Sequence, residues 1–484
     1  MIHRSRDAFS AALTGPGGPC ELVDGRFRHG PRALADVLRR MGEHGDAVMT
    51  VVEGRRYSFR DGLHAAGGVA AWLKREVRVT KGARVALVMG NGFGWMTGFV
   101  GVAAMGAVPV LVNSRGAPDE LRHAVESVGC VALLVDAERA ALLAQAWPQA
   151  GVPVLVLDET GGAGAGLLDI VETDPADPGA VLFTSGTTGR PKGALLSQGA
   201  LAHGIGMGEL LGAMNDACRA AESGTAQADK SINSPTIIGG PLFHLGGVNP
   251  FLRCLWSGVP TLLNGRWNAE MILDMIAREG VSRIAMVPTM YWDLLRSDRA
   301  GQGALNGVKV ISSGAAPILP DLVAALVEAI PGVLLSNTYG STETSGYVAS
   351  IMGTEFLAHQ DACGHILPTT EARLLTDDGA DAVTGEPGEI CVRGPCVMDG
   401  YIGDDTSEAF IDGWFRTGDV GVMDAGGRLR IVDRKKNMII SGGENIYCAE
   451  VERVLSEHPD VREVLAFGLP DARLGERLAV AVLP

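Results

Sequence analysis

The sequence predicts an α/β fold: a large N-terminal domain of layered α/β subdomains plus a small β-barrel, followed by a small α+β C-terminal domain. Three observations predict it. Short apolar runs alternate with helix-length segments up to about residue 364, hairpin-like text rich in turn signals follows, and after Lys436 an amphipathic helix precedes a strand. Alternation of the first kind implies layered, mostly parallel sheets. The large domain is set at residues 1–435 and the small one at 436–484.

In chain order, "VALVMG", "WMTGFVGVAAMGA" and "VPVLVN" form a strand-helix-strand unit between Val85 and Ser114. That stretch holds no Asp, Glu, Lys or Arg over 30 residues, longer than the roughly 20 apolar residues of a membrane-spanning helix. Its glycines at 90, 92, 94, 98, 101 and 106, with Asn91 and Pro109, break it up, and strands covered on both faces read as unbroken apolar runs. No integral membrane segment is therefore expected. The rhythm continues through "CVALLVD", "AERAALLAQAW", "VPVLVLD" and "AVLFTSG", then "VPTLLNG", "NAEMILDMIAREG", "SRIAMVP", "TMYWDLLRS", "GVKVISSG" and "LPDLVAALVEAI". The polar, small-residue stretch from Asn215 to Asn233 reads as a mobile loop or weak helix. Past residue 364, "ARLLTD", "GEICVRG" and "LRIVDR" sit among Asp/Gly turns, and "AEVERVLSEH" before "VREVLAFGLP" gives the last helix and strand.

Length and composition narrow the function. A chain of 484 residues, 46% hydrophobic and 20% charged, has enough apolar material for a sizeable core and no bias towards disorder. A net charge of −15 argues against nucleic acid and anionic membranes as partners, so any phosphate must be gripped locally. Eight scattered cysteines without C-x-x-C spacing suggest neither zinc nor a disulfide framework, and the N-terminus lacks a secretory apolar run, so a cytoplasmic location is expected.

The stretch "FTSGTTGRPKG", residues 183–193, carries three glycines, four hydroxyl side chains, Arg190 and Lys192, and no carboxylate. It follows a short apolar strand, and in open α/β sheets ligands bind at strand carboxyl ends. Gly186 and Gly189 let backbone N–H groups turn inward as a nest for phosphate oxygens, while Thr184, Ser185, Thr187 and Thr188 add hydroxyl donors. A Gly/Thr-rich surface turn is the alternative. The Walker spacing fails, because Pro191 stands where the second glycine belongs.

"TSGTTGRPKG" resembles the signature loop of the adenylate-forming superfamily. Further segments similar to that family's motifs follow in order: "PLFHLGG" at 241–247, "NTYGSTET" at 337–344, "RTGDV" at 416–420 and "VDRKKNMIISGGENIYCAEVE" at 432–452. The resemblance spans essentially the whole chain. It implies an acid–thiol ligase that uses ATP, Mg2+ and coenzyme A: a carboxylate attacks the α-phosphate, and a thiol then displaces AMP.

The same resemblance implies roles. The loop from Thr184 to Lys192 would wrap the β- and γ-phosphates. Tyr339 would stack on adenine beside Asn337 and the backbone of Gly314, Ala315 and Ala316, with Gly340, Ser341 and Thr342 adjoining; plain core packing is the alternative for Tyr339. Glu343 would be the Mg2+ ligand, Asp419 and Arg434 would hold the ribose, and His244 would position the incoming carboxylate; a solvated surface glutamate, a plain Gly-Asp turn and a structural core histidine are the alternatives. Lys436 fits a hinge about which the small domain rotates between half-reactions, and Gly442 and Gly443 would let the pantetheine arm pass.

One departure stands out. The family's late lysine in a "P-K-T-x-x-G-K" context is absent, since this chain stops at "LAVAVLP"; a trimmed chain with feeble adenylation is the expectation. Substrate choice rests on "FHLGG", where α-amino-acid-activating domains carry an aspartate, and on the neutral positions Leu242, Val248, Val287, Thr289, Ala315, Gly340 and Ser341 beside His244. An uncharged tail is implied, and "VPTMYWDLL" with "PLFHLGGVNPFL" resembles fatty-acyl-CoA ligases, so a medium or long acyl chain is expected. An aryl acid of the cinnamate or benzoate kind, a luciferase-like oxygenase and a non-catalytic adenylate-binding protein are the alternatives, and a homodimer is possible.

Overall fold

The computed structural model describes residues 11–147, 151–158, 166–184, 191–224, 233–403, 406–441, 444–456, 458, 460–471 and 473–483. The chain folds as two compact units: Met1–Gln360 with Gly394–Thr406, and Asp361–Arg393 with Ser407–Pro484. The boundary that the sequence suggests at 435/436 thus falls inside the second unit.

The first unit is layered α/β. Its main sheet runs Gly400–Ile402, Lys192–Ser197, Pro178–Thr184, Val108–Leu111, Arg84–Val88, Ala132–Val135, Val154–Val156. The strands from Pro178–Thr184 to Val154–Val156 are parallel, and the first two join antiparallel. Val, Leu and Ala fill these central strands because both faces are covered; Val85, Leu87, Val110 and Leu133 have no more than 0% of their surface exposed.

The charge-free stretch resolves as expected. Its helix, Phe93–Ala104, is 12 residues long and buried at every position, about 18 Å at the usual rise and too short for a roughly 30 Å hydrocarbon layer. Gly101 lets it lie against the helix Phe59–Trp72, where a Cβ would sit 2.8 Å from the Ala66 carbonyl oxygen. Trp95, Phe99 and Phe251 complete the packing, with ring centroids 5.6 and 5.8 Å apart along that chain of contacts. Among the described residues no helix is long and apolar enough to cross a membrane.

Two further sheets belong to this unit. In one, Thr236–Ile238, Thr261–Leu263 and Val48–Val52 are parallel and Arg55–Ser58 adds a hairpin. In the other, Arg283–Met286, Val310–Gly314 and Leu334–Tyr339 are parallel and Ala349–Met352 returns antiparallel. Buried Tyr291 ties two strands of that sheet: its hydroxyl accepts from Met286 N at 3.0 Å and donates to Ser312 O at 2.6 Å.

For the stretch beginning at Asn215 the sequence leaves a loop or a weak helix open, and as far as Ser223 it is helix: the end of a 26-residue helix, Gln198–Ser223; residues 225–232 lie outside those described. Ser197 caps its start by accepting from Ala200 N, and Gly224, at φ 67°, ends it. The helix is buried over much of its circumference, which erases the polar stripe that marks a surface helix. Gly206 allows it to approach Phe27, whose ring would lie 2.2 Å from an added Cβ.

The second unit is antiparallel. Glu371–Leu375, Gly388–Arg393, Trp414–Met423 and Phe410–Ile411 follow one another, and Leu429–Arg434 pairs with Trp414–Met423. This is the region expected as a small barrel. Lys435–Asn437 makes a 3-10 turn that leads to the strands Ile439–Ser441 and Glu444–Ile446, the helix Cys448–Ser456 and the hairpin Glu463–Asp471 with Gly475–Leu483. Ile439, Cys448 and Ala466 form its small core, with Ile446 and Val451 against them.

Candidate active site

The Gly/Thr loop is anchored where a strand ends. Thr184 closes Pro178–Thr184, Lys192 opens Lys192–Ser197, and the two are direct antiparallel partners at the neck of the loop. Ser185, Gly186, Thr187, Thr188 and Gly189 lie outside the described residues. On the far side of Lys192–Ser197 the strand Gly400–Ile402 pairs so that Tyr401 stands opposite Ala194. The Tyr401 hydroxyl donates to Glu343 Oε1 at 2.8 Å, and Lys192 Nζ lies 5.5 Å from the centre of the same phenol ring. Glu343, Lys192 and Tyr401 are thereby one constellation.

Glu343 sits on the 3-10 turn Thr342–Thr344, directly after the strand Leu334–Tyr339. Its carbonyl accepts from Met398 N at 2.8 Å, and Ser345 Oγ donates to Cys396 O at 2.8 Å, so the segment 396–401 fastens this turn at several points. The turn also folds tightly on itself. Ser341 N donates to Thr344 Oγ1 at 2.9 Å, and an added Cβ on Gly340 would lie 2.3 Å from the Gly346 carbonyl carbon. Ser345 takes φ 52°, a left-handed value that a residue with a side chain adopts at a cost.

The adenine candidates cluster at neighbouring strand ends. Ser313 and Asn337 are register partners, as are Gly314 and Thr338. Tyr339 is 8% exposed and Asn337 8%, whereas Ala315 and Ala316 are exposed beyond the strand end. Ala315 holds φ 64°. Among the described residues two buried hydroxyls here, Ser313 Oγ and Ser341 Oγ, have no hydrogen-bond partner, a costly state unless a ligand or water answers them.

His244 precedes the helix Leu245–Ser257 at its N-cap, without a side-chain cap bond. Asn91 holds the approach to it, donating to Gly240 O at 2.9 Å and accepting from Leu242 N at 2.8 Å. Desolvation first, and Arg115 second, hold the His244 imidazole below the ordinary histidine range; its exposed edge limits how far desolvation can act. Leu242 and Val248 are buried beside it, Val287 is half-buried and Thr289 exposed. A surface hollow of about 880 Å³ lined by Trp292, Leu295, Arg296 and Ala329 shares no residue with this constellation.

In the second unit, Asp419 and Arg434 are cross-strand partners with Arg434 Nε 3.1 Å from Asp419 Oδ1. Lys436 is exposed on the 3-10 turn Lys435–Asn437, and Gly442 and Gly443 lie outside the described residues.

Among the described residues no group of three or more His, Cys, Asp or Glu could hold a metal. Glu343 offers a single carboxylate with Oε1 engaged by Tyr401. Such a donor set fits an Mg2+ that arrives on a triphosphate, since that ion keeps its waters and takes one or two carboxylates plus phosphate oxygens. Tyr401 and Asn91 escaped the sequence reading of the site; one lies on a three-residue strand, the other inside an apolar run, and neither position carries a local chemical signal.

Two antiparallel strand ends that frame a Gly/Thr-rich segment, with Lys192 at its root and Glu343 tied to the same tyrosine, are an arrangement that can receive an anionic ligand together with its metal ion. The chain belongs to the family of AMP-binding enzymes, whose model matches residues 37–402. It is 37% identical over 316 residues to indoleacetate–CoA ligase of Aromatoleum aromaticum, covering 65% of this chain and 58% of that protein. It is 31% identical over 471 residues to feruloyl-CoA synthase of an Amycolatopsis species, covering 95% and 87%. Among solved structures, o-succinylbenzoate CoA synthetase of Bacillus subtilis with its acyl-adenylate intermediate superposes with a TM-score of 0.78 at 26% identity, over 92% of this chain and 87% of that one; the same enzyme is known with ATP and magnesium ion. The class is that of ATP-dependent, AMP-forming CoA ligases, which work through an acyl-adenylate and use Mg2+. These relatives are named for aromatic acids, so they lend no support to the fatty-acyl expectation.

Proposed function

We propose that this protein joins an aromatic-ring carboxylic acid to coenzyme A. An acid oxygen attacks the α-phosphorus of ATP, the bond to pyrophosphate breaks, and the acyl-adenylate forms; the coenzyme A sulfur then attacks the acyl carbon and AMP leaves. The observation that carries the nucleotide half is the junction of Lys192, Tyr401 and Glu343 at the root of the phosphate loop. For the acid, support comes from the match to feruloyl-CoA synthase along nearly the whole chain and from the neutral character of the candidate pocket positions Leu242, Val248 and Thr289.

In this reading the loop from Thr184 to Lys192 takes the β- and γ-phosphates, and Glu343 holds the Mg2+ that neutralises their charge. Asn337, Tyr339 and the Gly314–Ala316 backbone receive adenine, with Gly340, Ser341 and Thr342 beside them. Asp419 and Arg434 serve the ribose hydroxyls. Neutral His244 orients the acid, since an imidazole that keeps its proton off does not trap the carboxylate as an ion pair. Lys436 is the pivot about which the segment 437–484 turns, and Gly442 and Gly443 admit the thiol arm. Eight free cysteines suit a cytoplasmic setting, and a homodimer belongs to the same reading.

Thioester formation with coenzyme A, followed by pyrophosphate release over a panel of ferulate, cinnamate, indoleacetate, succinylbenzoate and dodecanoate, tests the proposal. An aromatic acid is expected to have the highest kcat/KM. Preference for dodecanoate would restore the fatty-acyl reading.

A further inference from the structure

Tyr401 touches both charged groups of the nucleotide constellation and has no part in the roles above. We propose that it is a positioning residue for metal-nucleotide binding: its hydroxyl orients the Glu343 carboxylate, and its ring keeps the Lys192 ammonium from collapsing onto that carboxylate. The proposal rests on the reading of Glu343 as the Mg2+ ligand.

The geometry is over-determined. Backbone pairing sets Gly193, Ala194 and Leu195 against Ile402, Tyr401 and Gly400, so the backbone from which the phenol projects is fixed by sheet register. The bonds from Met398 N to Glu343 O and from Ser345 Oγ to Cys396 O, both 2.8 Å, fasten the same segment to the turn that carries Glu343. Strand and turn, distant in sequence, are thus joined through residues 396–401.

Each half of the phenol does separate work. The hydroxyl donates to Oε1 at 2.8 Å, which fixes the plane of the carboxylate; partners of this kind orient metal ligands, and their loss typically costs 10–100-fold in metal affinity. The ring presents its electron-rich face to Lys192 Nζ at 5.5 Å. Opposite charges at close range attract strongly where water is partly excluded. If the phenol that contacts both were removed, Lys192 and Glu343 would be free to approach each other, and the phosphates and the metal would have to compete with that pair.

Calorimetric titration separates the parts. ATP is titrated with Mg2+ and, separately, with EDTA, into the wild type, Y401F, Y401L, E343Q, Y401F/E343Q and Y401L/E343Q. Y401F keeps the ring and is expected to weaken Mg–ATP binding about tenfold or more, with metal-free ATP within about twofold. In the E343Q background, Y401F should add nothing. Y401L should also weaken metal-free ATP, and Y401L/E343Q should recover it, because no carboxylate remains to trap Lys192. If Y401F binds Mg–ATP like the wild type while E343Q loses it, the positioning role is wrong and the Glu343 assignment stands. If E343Q itself binds Mg–ATP normally, the Glu343 assignment fails. Additive losses in Y401F/E343Q, accompanied by a lowered melting temperature, would mark Tyr401 as structural only and overturn the proposal.

Discussion

Asp419 and Arg434 stand opposite each other on antiparallel strands, with Arg434 Nε 3.1 Å from Asp419 Oδ1. The carboxylate is 6% exposed and the guanidinium 54%, so one partner is fixed while the other remains largely in water. A half-exposed pair of this kind adds little to stability, about 0–1 kcal/mol. What it supplies is a buried acceptor held in place.

Asp419→Asn should therefore leave the melting temperature nearly unchanged and weaken ATP binding by about 10- to 100-fold, the usual effect of losing hydrogen bonds to a charged group. Deoxy-ATP lacking both ribose hydroxyls should bind the variant and the wild type alike. Equal weakening of ATP and the dideoxy analogue by the substitution would remove Asp419 from the ribose role.

Gly340→Ala tests the turn that carries Glu343. The added methyl would lie 2.3 Å from Gly346 backbone carbon, a distance only backbone movement can relieve. Overpacking of this sort costs about 1–3 kcal/mol, so thermal unfolding should shift down, and Mg–ATP affinity should fall with it because the turn is displaced. An unchanged melting temperature would show that the turn has slack.

His203 gives the fold a pH dependence of its own. Burial first, and Arg26 second, push its pKa down to about 4, and its ring packs 4.9 Å from that of Phe27. The unfolded chain takes up this proton near pH 6.5, so between about 6.5 and 4 the unfolded state binds more protons and stability falls as pH drops. The contribution is complete above pH 6.5. Its loss by pH 4 is on the order of 3 kcal/mol, and denaturant unfolding of His203→Gln should show a flatter profile over that window. Parallel profiles would assign the acid sensitivity to other groups.

Much of this was legible in the sequence, and the reasons differ by element. The unit from Arg84 to Leu111 could be parsed because its glycines punctuate strand, helix and strand. The motifs that carry Asp419 and Arg434 are far apart in sequence, and strand pairing brings the two residues opposite each other. The helix Gln198–Ser223 is legible only as a possible weak helix at its end, because burial around it leaves no 3.6-residue polar stripe and its glycines at 199, 204, 206, 208 and 212 look like loop text. Tyr401 was invisible for another reason. Its place depends on register with Ala194 and on a bond to Glu343, both remote in sequence. Likewise, the compact units divide at Asp361 and not at the basic segment near Lys436, since strand pairing across long separations, not composition, decides which pieces cohere.

The central claim is that this chain makes an adenylate of an aromatic acid. Its most direct test is mass spectrometry of the nucleotide products after incubation with Mg–ATP and an equimolar mixture of aromatic and fatty acids, without coenzyme A. An aryl-adenylate in excess over any alkyl-adenylate, and abolished by Glu343→Gln, is the predicted result. An alkyl-adenylate in excess, or Mg–ATP binding with no adenylate from any acid, would contradict the account.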